Sequence, residues 1–318
     1  MFSRNSFYPD HGVRPIMRPV DTYSIVAIDR KTGEMGVAVQ SHWFSVGSVV
    51  TWAEAGVGIV ATQASVEVSY GPLGMALMKG GKTPQQALKS LLATDPRPEV
   101  RQVAMLDASG RVAAHTGRRC IPEAGHETGR GFSVQANIMR SRRVWGAMAR
   151  SFRRSKGPLA ERLMLALESA EQAGGDLRGR QSAAILVVKV KGSSTPWHDR
   201  VVDLRVEDHP KPLAEMRRLL GIHAAFDHAN NGDLLLEKGD NRRALEEYRR
   251  SAELSPENPE LGFWQGVTLL NHGELAEGEA VLRKAFRANE DLRTLLERLP
   301  GVGMLKVDRE TMRRLLKR

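Results

Sequence analysis

Strand-like runs in this chain arrive in neighbouring pairs joined by links too short for a crossover, and that pairing constrains the fold more than any other feature. "TYSIVAI" and "MGVAVQS" meet across a Lys-Thr-Gly turn, "VGSVVTWAEAG" and "VGIVATQAS" follow as a glycine-broken pair, and "RQVAMLD" and "RVAAHTG" are separated by "ASG". Parallel strands need a crossover of a dozen or more residues, so links of this length require antiparallel hairpins. Between the pairs lie helical runs. "YGPLGMALMKGG" and "TPQQALKSLLATD" come first, the latter with Thr83 placed as N-cap and Pro84 at the first helical position. After the strand "GFSVQANIM" come "RSRRVWGAMARSFRRSK" and "PLAERLMLALESAEQAGG", and "SAAILVVKV" and "RVVDLRVED" complete the sheet material. Segregated runs of strands and helices predict an α+β fold in which helices pack outside antiparallel sheets, a layered sandwich.

From residue 222 onward the chain becomes helical and repeats itself. Sliding this tail along itself lays Gly232 over Gly266, Gly239 over Gly273, Ala244 over Gly278 and Ser251 over Ala285. The offset, thirty-four, is the tetratricopeptide period. The first unit carries Ala244, Tyr248 and Pro256 where that pattern wants a small residue, an aromatic and a terminating proline; the second replaces the small-aromatic pair with Gly278 and Leu282. A plain helical hairpin with an accidental period is the alternative. The expected divisions are a leader over 1–21, a first domain over 22–221 and a helical domain over 222–318.

Composition narrows the function classes. The leader holds no apolar run that matches a secretory signal, and no apolar run anywhere is long enough to span a membrane, which predicts a cytoplasmic protein with no membrane partner. The single cysteine, Cys120, excludes an internal disulfide framework and a thiolate-built zinc site. The net charge of +10 sits in the stretch 1–221, which holds 31 of the 47 Lys/Arg but 20 of the 37 Asp/Glu. Its densest run, 140–156, places Trp145, Met148 and Phe152 on one helical stripe and Arg143, Arg150 and Arg154 on another face. The expected role of that face is a solvated basic surface, with an anionic substrate or nucleic acid as the alternatives; no nucleic-acid motif or interleaved aromatic platform accompanies it, so no nucleic-acid partner is expected.

Thr22 opens the first strand behind "PVD", and two readings compete for it. A β-branched residue starts many strands for packing reasons. A threonine hydroxyl also becomes a nucleophile when a base sits beside it, and its own α-amine is one such base, with a reference pKa of about 7.7–8.0. Asn137 in "VQANIM" and Gln63 in "ATQAS" are side-chain amides near strand ends, the residue type an oxyanion site uses. Satisfying loop backbone is the competing role for both. Ser41 and His42 end the second strand, which returns beside the first.

The turn "GGDLRGRQS" holds Asp176, Arg178, Arg180 and Gln181 among glycines suited to positive φ, and it lacks the G-K-[ST] ending of a phosphate loop. Arg180 is a candidate bidentate partner for a substrate carboxylate. Cys120 follows two arginines that are able to lower a thiol pKa, with a structural thiol as the alternative. His115 and His126 lack metal-ligand spacing, and "AGVGIV" lacks the third glycine and the βαβ setting of a dinucleotide site. No metal and no cofactor are expected.

Taken together, "TYSIVAID", "GEMGVAVQS", "WAEAGVGIVATQ", "YGPLG", "RQVAMLDASGRVAAHTG", "QANI", "GPLAERL", "AGGDLRGRQSAAILVV" and "DLRVEDHP" resemble the family catalogued as domain of unknown function 1028, over roughly residues 22–220 and in the same order. That family is placed in the N-terminal-nucleophile (Ntn) hydrolase-like superfamily, and the tail resembles a helical segment labelled peptidoglycan-binding in some members. The resemblance implies a four-layer αββα sandwich and an amidohydrolase mechanism on a small amide substrate, acidic if Arg180 receives it. Thr22 would be the nucleophile, Asn137, Gln63 and Ser41 would serve in catalysis, and His42, Asp176, Arg180 and Gln181 in binding substrate. Members commonly carry the threonine directly after the initiator methionine, whereas the whole of the leader precedes it here. A free amine at Thr22 therefore requires cleavage of the Asp21–Thr22 bond or a later start. Many relatives have lysine where His42 stands. The competing expectation is a non-catalytic scaffold that uses the tail to hold a peptide or cell-wall fragment. A homodimer is compatible with both.

Overall fold

The computed structural model describes Val20 and residues 22–317, so all of the leader except Val20 lies outside the described residues. Strand β1 (Thr22–Asp29) pairs with β2 (Glu34–Ser41) in an antiparallel hairpin that sets Thr22 opposite Ser41 and Asp29 opposite Glu34. Gly33 takes φ +72° in the turn, the conformation that glycine reaches at least cost. Residues Gly47–Val50 form a helical turn, α1, ahead of β3 (Thr51–Glu54), which pairs with β4 (Gly58–Ala64). The continuous strand expected over "VGSVVTWAEAG" is thus broken: Val46, Gly47 and Val50 are buried at helical rather than alternating spacing.

Helices α2 (Tyr70–Lys79) and α3 (Pro84–Thr94) follow, and Thr83 and Gln86 close a reciprocal capping box at the start of α3. Then come β5 (Arg101–Asp107), β6 (Val112–Thr116), β7 (Gly125–Gly129), β8 (Phe132–Ala136), α4 (Arg143–Arg154), α5 (Leu159–Gln172), β9 (Ser182–Lys189) and β10 (Arg200–Val206). β7, "GHETG", is absent from the sequence reading because it is a partly exposed edge strand with no apolar residue to reveal an alternation.

These strands form two sheets, ordered β10-β9-β2-β1-β8-β7 and β3-β4-β5-β6, and every pairing among them is antiparallel. Period two then decides what each face meets. Val26 and Ile28 of β1, with Met35, Val37 and Val39 of β2, join Ile59, Ala61, Ala104 and Leu106 of the other sheet and Leu186 and Val188 of β9 in one core cluster. Burying each large aliphatic side chain contributes about 1.5–3 kcal/mol. On its other face β1 contacts α5, as do β2 and β9, while α4 contacts β7 and β8. Gly36 lets α5 approach, since a Cβ there would lie 3.0 Å from Leu163 and 2.9 Å from Val187. Helices α2 and α3 pack on the four-stranded sheet through Met75, Met78, Ala87 and Leu88 against Val60, Val103 and Met105. The fold class is α+β with two sheets and a helical C-terminal region.

The chain divides into two compact units between Met216 and Arg217, inside helix α6 (Pro212–Glu237). The second unit continues through α7 (Asn241–Leu254), α8 (Pro259–Asn271), α9 (Leu275–Ala288), α10 (Asp291–Arg298) and α11 (Arg309–Leu316). Gly239 and Gly273, which the sequence offset lays over one another, both take positive φ just after α6 and α8. Gly232 and Gly266 are contact points, where a Cβ would lie 2.8 Å from the Tyr248 ring and 2.6 Å from Leu282. No helix among the described residues is long and apolar enough to cross a membrane.

Candidate active site

The same alternation that buries Val26 and Ile28 between the sheets puts Thr22 and Ser24 on that inter-sheet face at the other end of β1. Polar residues from three further strands meet them there: Gln63 of β4, Gln102 of β5, and Ser133 and Gln135 of β8, with Asn137 just beyond β8. All seven are buried, none exposed by more than 1%. An unpaired polar group so placed is costly, and here almost every one is paired. Ser24 Oγ donates to Gln63 Oε1 (2.6 Å) and accepts from Gln135 Nε2 (2.7 Å), and Ser133 Oγ donates to Gln135 Oε1 (2.9 Å). Gln102 Oε1 accepts from both Gln63 Nε2 (2.7 Å) and Asn137 Nδ2 (3.0 Å), while its own Nε2 donates to the Ala136 carbonyl (2.9 Å).

Thr22 is held on two sides. Its carbonyl accepts from Asn137 N (3.0 Å), Gln63 Nε2 (3.3 Å) and Asn137 Nδ2 (3.4 Å). Its Oγ1 donates to the Val20 carbonyl (2.8 Å) and lies 3.2 Å from Ser41 Oγ. Val20 is itself fixed by a two-bond bridge to Ala64, so a piece of the leader covers the hydroxyl. The amide groups of Gln63 and Asn137 are aimed at Thr22's own backbone, whereas Asn137 Oδ1 is buried without a partner. Ala64 (φ +66°) and Ile138 (φ +55°) follow these two amide residues directly, and a β-branched residue at positive φ is a backbone outlier that only surrounding structure sustains.

A second group adjoins through Ser41. Ser41 sits opposite Ser182 across β2 and β9, and its carbonyl accepts from Gln181 N (3.0 Å). The buried Asp176 carboxylate accepts from His42 N (3.2 Å), Arg178 N (2.8 Å) and the Arg178 guanidinium (3.0 Å). His42 Nδ1 lies 3.3 Å from the Arg180 carbonyl. Gly174, Gly175 and Gly179 supply the positive-φ turns that the sequence calls for. Thr22, Ser41, Gln63 and Asn137 thus form one hydrogen-bonded cluster, and His42, Asp176, Arg180 and Gln181 form the loop beside it. Arg180 differs from expectation in one respect: its guanidinium pairs with Glu171 of α5, whose other oxygen accepts from the Tyr23 hydroxyl (2.7 Å). Burial, reinforced by the Glu171 charge, pushes the Tyr23 phenol well above its ordinary pKa.

The sequence reading did not single out Ser24, Gln102 and Gln135. Two of them carry a signal, since Ser24 lies two residues after Thr22 and Gln135 two before Asn137, polar positions in phase with the candidates along apolar strands; Gln102 carries none. The Tyr23–Glu171–Arg180 chain had none, since it joins a strand, a helix and a loop.

The remaining candidates carry no such constellation. Burial pushes the Cys120 thiol up to about 11, so its arginine neighbours do not activate it. His126 Nδ1 is 2.8 Å from Thr116 Oγ1 and His115 Nε2 is 2.9 Å from the Pro98 carbonyl. No cluster of three His, Cys, Asp or Glu able to hold a metal occurs among the described residues.

A family model described as a family of unknown function, DUF1028, matches residues 22–216. A crystal structure of a Silicibacter pomeroyi protein assigned to that same family model is similar at 30% identity with a TM-score of 0.57, over 63% of this chain and 84% of the other. No curated protein matches.

Proposed function

We propose, from the premise that this chain belongs to the DUF1028 family of unknown function, that it is an Ntn-type amidohydrolase whose nucleophile is Thr22. The observation that carries the reading is the convergence on Thr22: a strand-start hydroxyl beside Ser41, with its carbonyl held by three N–H donors from Gln63 and Asn137. The start of the family match at Thr22 supports it. So do the two helix pairs packed outside the two facing sheets, which fit a four-layer αββα sandwich.

The chemistry proceeds in two stages. Hydrolysis of the Asp21–Thr22 peptide consumes one water and leaves a carboxylate on Asp21 and an amine on Thr22. Thr22 Oγ1 then attacks a substrate amide carbonyl while that amine takes the hydroxyl proton. Collapse of the tetrahedral adduct breaks the C–N bond, passes the proton to the leaving amine and leaves an ester on Thr22, which a second water hydrolyses. Ser41 hydrogen-bonds the nucleophile. Gln63 and Asn137 are positioning residues, because their donors hold the Thr22 backbone. His42, Asp176 and Gln181 shape the binding loop, and an acidic substrate bound by Arg180 has to exchange with Glu171. The helical tail is read as tetratricopeptide-like on the matched positions of Gly232 with Gly266 and Gly239 with Gly273.

A second reading rests on one observation, the closure of Thr22 beneath Val20. If that closure is permanent, the protein is a non-catalytic scaffold whose tail holds a peptide or cell-wall fragment. Intact mass and N-terminal sequencing of protein purified from its native host separate the two. A mature chain beginning at Thr22 is the expected result. A mature chain that keeps the leader sinks the hydrolase reading.

A further inference from the structure

Helix α4 carries its arginines in two different situations. Arg142, at its N-cap, and Arg153 pair with Glu123 (3.4 Å) and Glu127 (2.6 Å), and Arg162 of the adjoining α5 pairs with Asp29 (2.7 Å). Arg150 and Arg154, one turn apart, have no acidic partner among the described residues. Two like charges at this spacing disfavour the helix. They line a groove of about 430 Å³ between α4 and α5, whose walls also bring Ser151, Ser155, Ser169 and Leu165. Ser151 and Ser155 spend their protons on the Leu165 and Phe152 carbonyls (3.1 and 2.8 Å). Among the described residues, the lining side chains whose donors are not committed to a neighbour are therefore those of Arg150, Arg154 and Ser169.

We infer that this groove binds the phosphate group of a small phosphorylated molecule. A carboxylate offers two oxygens in a plane, which one guanidinium already satisfies, whereas a phosphate monoester presents three peripheral oxygens and close to two charges. Two forks and a hydroxyl match the latter. The volume leaves room for the rest of a small ester, with Leu165 as its apolar wall. A nucleic-acid backbone is the poorer fit, because the lining holds no aromatic ring on which bases stack and only two unpaired cations. Thr22 and its neighbours take no part, so this site stands or falls apart from the hydrolase reading.

Titration calorimetry on the full-length chain tests it, with glycerol 3-phosphate, orthophosphate, succinate and a single-stranded DNA dodecamer as probes. Glycerol 3-phosphate is expected to bind saturably and to weaken by about tenfold or more in the Arg150→Ala/Arg154→Ala double variant, the loss of two charge-assisted fork contacts. Arg118→Ala, which removes an exposed arginine outside the groove, is expected to leave that affinity within about twofold, as for a screened distant charge. An ester bound tighter than orthophosphate assigns the site to phosphorylated metabolites, and equal affinities assign it to the free anion. Circular dichroism verifies that the double variant is folded; were it not, Arg150→Lys/Arg154→Lys keeps the charge, and losing the forks still has to weaken binding. The inference is overturned by the absence of saturable binding, by unchanged affinity in a folded double variant, by succinate binding as tightly as the phosphates, or by binding of the dodecamer alone.

Discussion

Gln102 is the side chain on which the buried network depends. Its Oε1 is the shared acceptor for Gln63 and Asn137, and its Nε2 serves the Ala136 carbonyl. Gln102→Leu keeps the volume but leaves buried amides and a carbonyl short of partners, so a loss of about 2–3 kcal/mol is expected in urea unfolding. A change under about 0.5 kcal/mol would show that the network has no structural weight. Cys120 gives an independent residue-scale outcome. Because burial raises its pKa to about 11, alkylation of the folded protein is expected to be slow at pH 8 and to rise roughly tenfold per pH unit until that pKa is approached. Rates that level off near pH 8–9, where an ordinary thiol with a pKa of about 8.5 ionises, would contradict it.

At the scale of elements, the β1–β2 and β5–β6 hairpins are legible in the sequence because each announces itself twice, by an apolar run and by a turn. The β1–β2 pair is found from the apolar run and the Lys-Thr-Gly turn alone, and α3 from Thr83 and Pro84. β7 escapes because an edge strand needs no apolar side, and α1 because four residues are too few to display a period. The site divides the same way. Thr22, Ser41, Gln63 and Asn137 stand at strand ends where a polar residue is conspicuous, whereas Gln102 looks like any polar residue until β4 and β5 place it opposite Gln63. Glycine substitutions test the helical elements. Gly266→Ala forces a methyl to within 2.6 Å of Leu282 and is expected to cost about 1–3 kcal/mol. Gly221→Ala, in α6 with nothing within 4 Å, is expected to gain about 0.5–1 kcal/mol from backbone entropy. Thermal or urea unfolding of the two variants reads both signs.

For the whole molecule, two compact units predict two unfolding events rather than one. In calorimetry Gln102→Leu is expected to lower one transition and Gly266→Ala the other, and a single transition moved equally by both would contradict the division. The order of the six-stranded sheet carries a further consequence, for synthesis. β1 and β2 leave the ribosome early yet lie at the centre of the sheet, flanked by β8 and β9, which begin at Phe132 and Ser182. About a hundred residues separate β1 from β8; at roughly 5–20 residues per second, the newborn hairpin waits about 5–20 seconds with both edges bare. Bare edges of apolar strands recruit other chains. Yield in cells should therefore depend on chaperone supply and translation speed more than on the final stability of the fold.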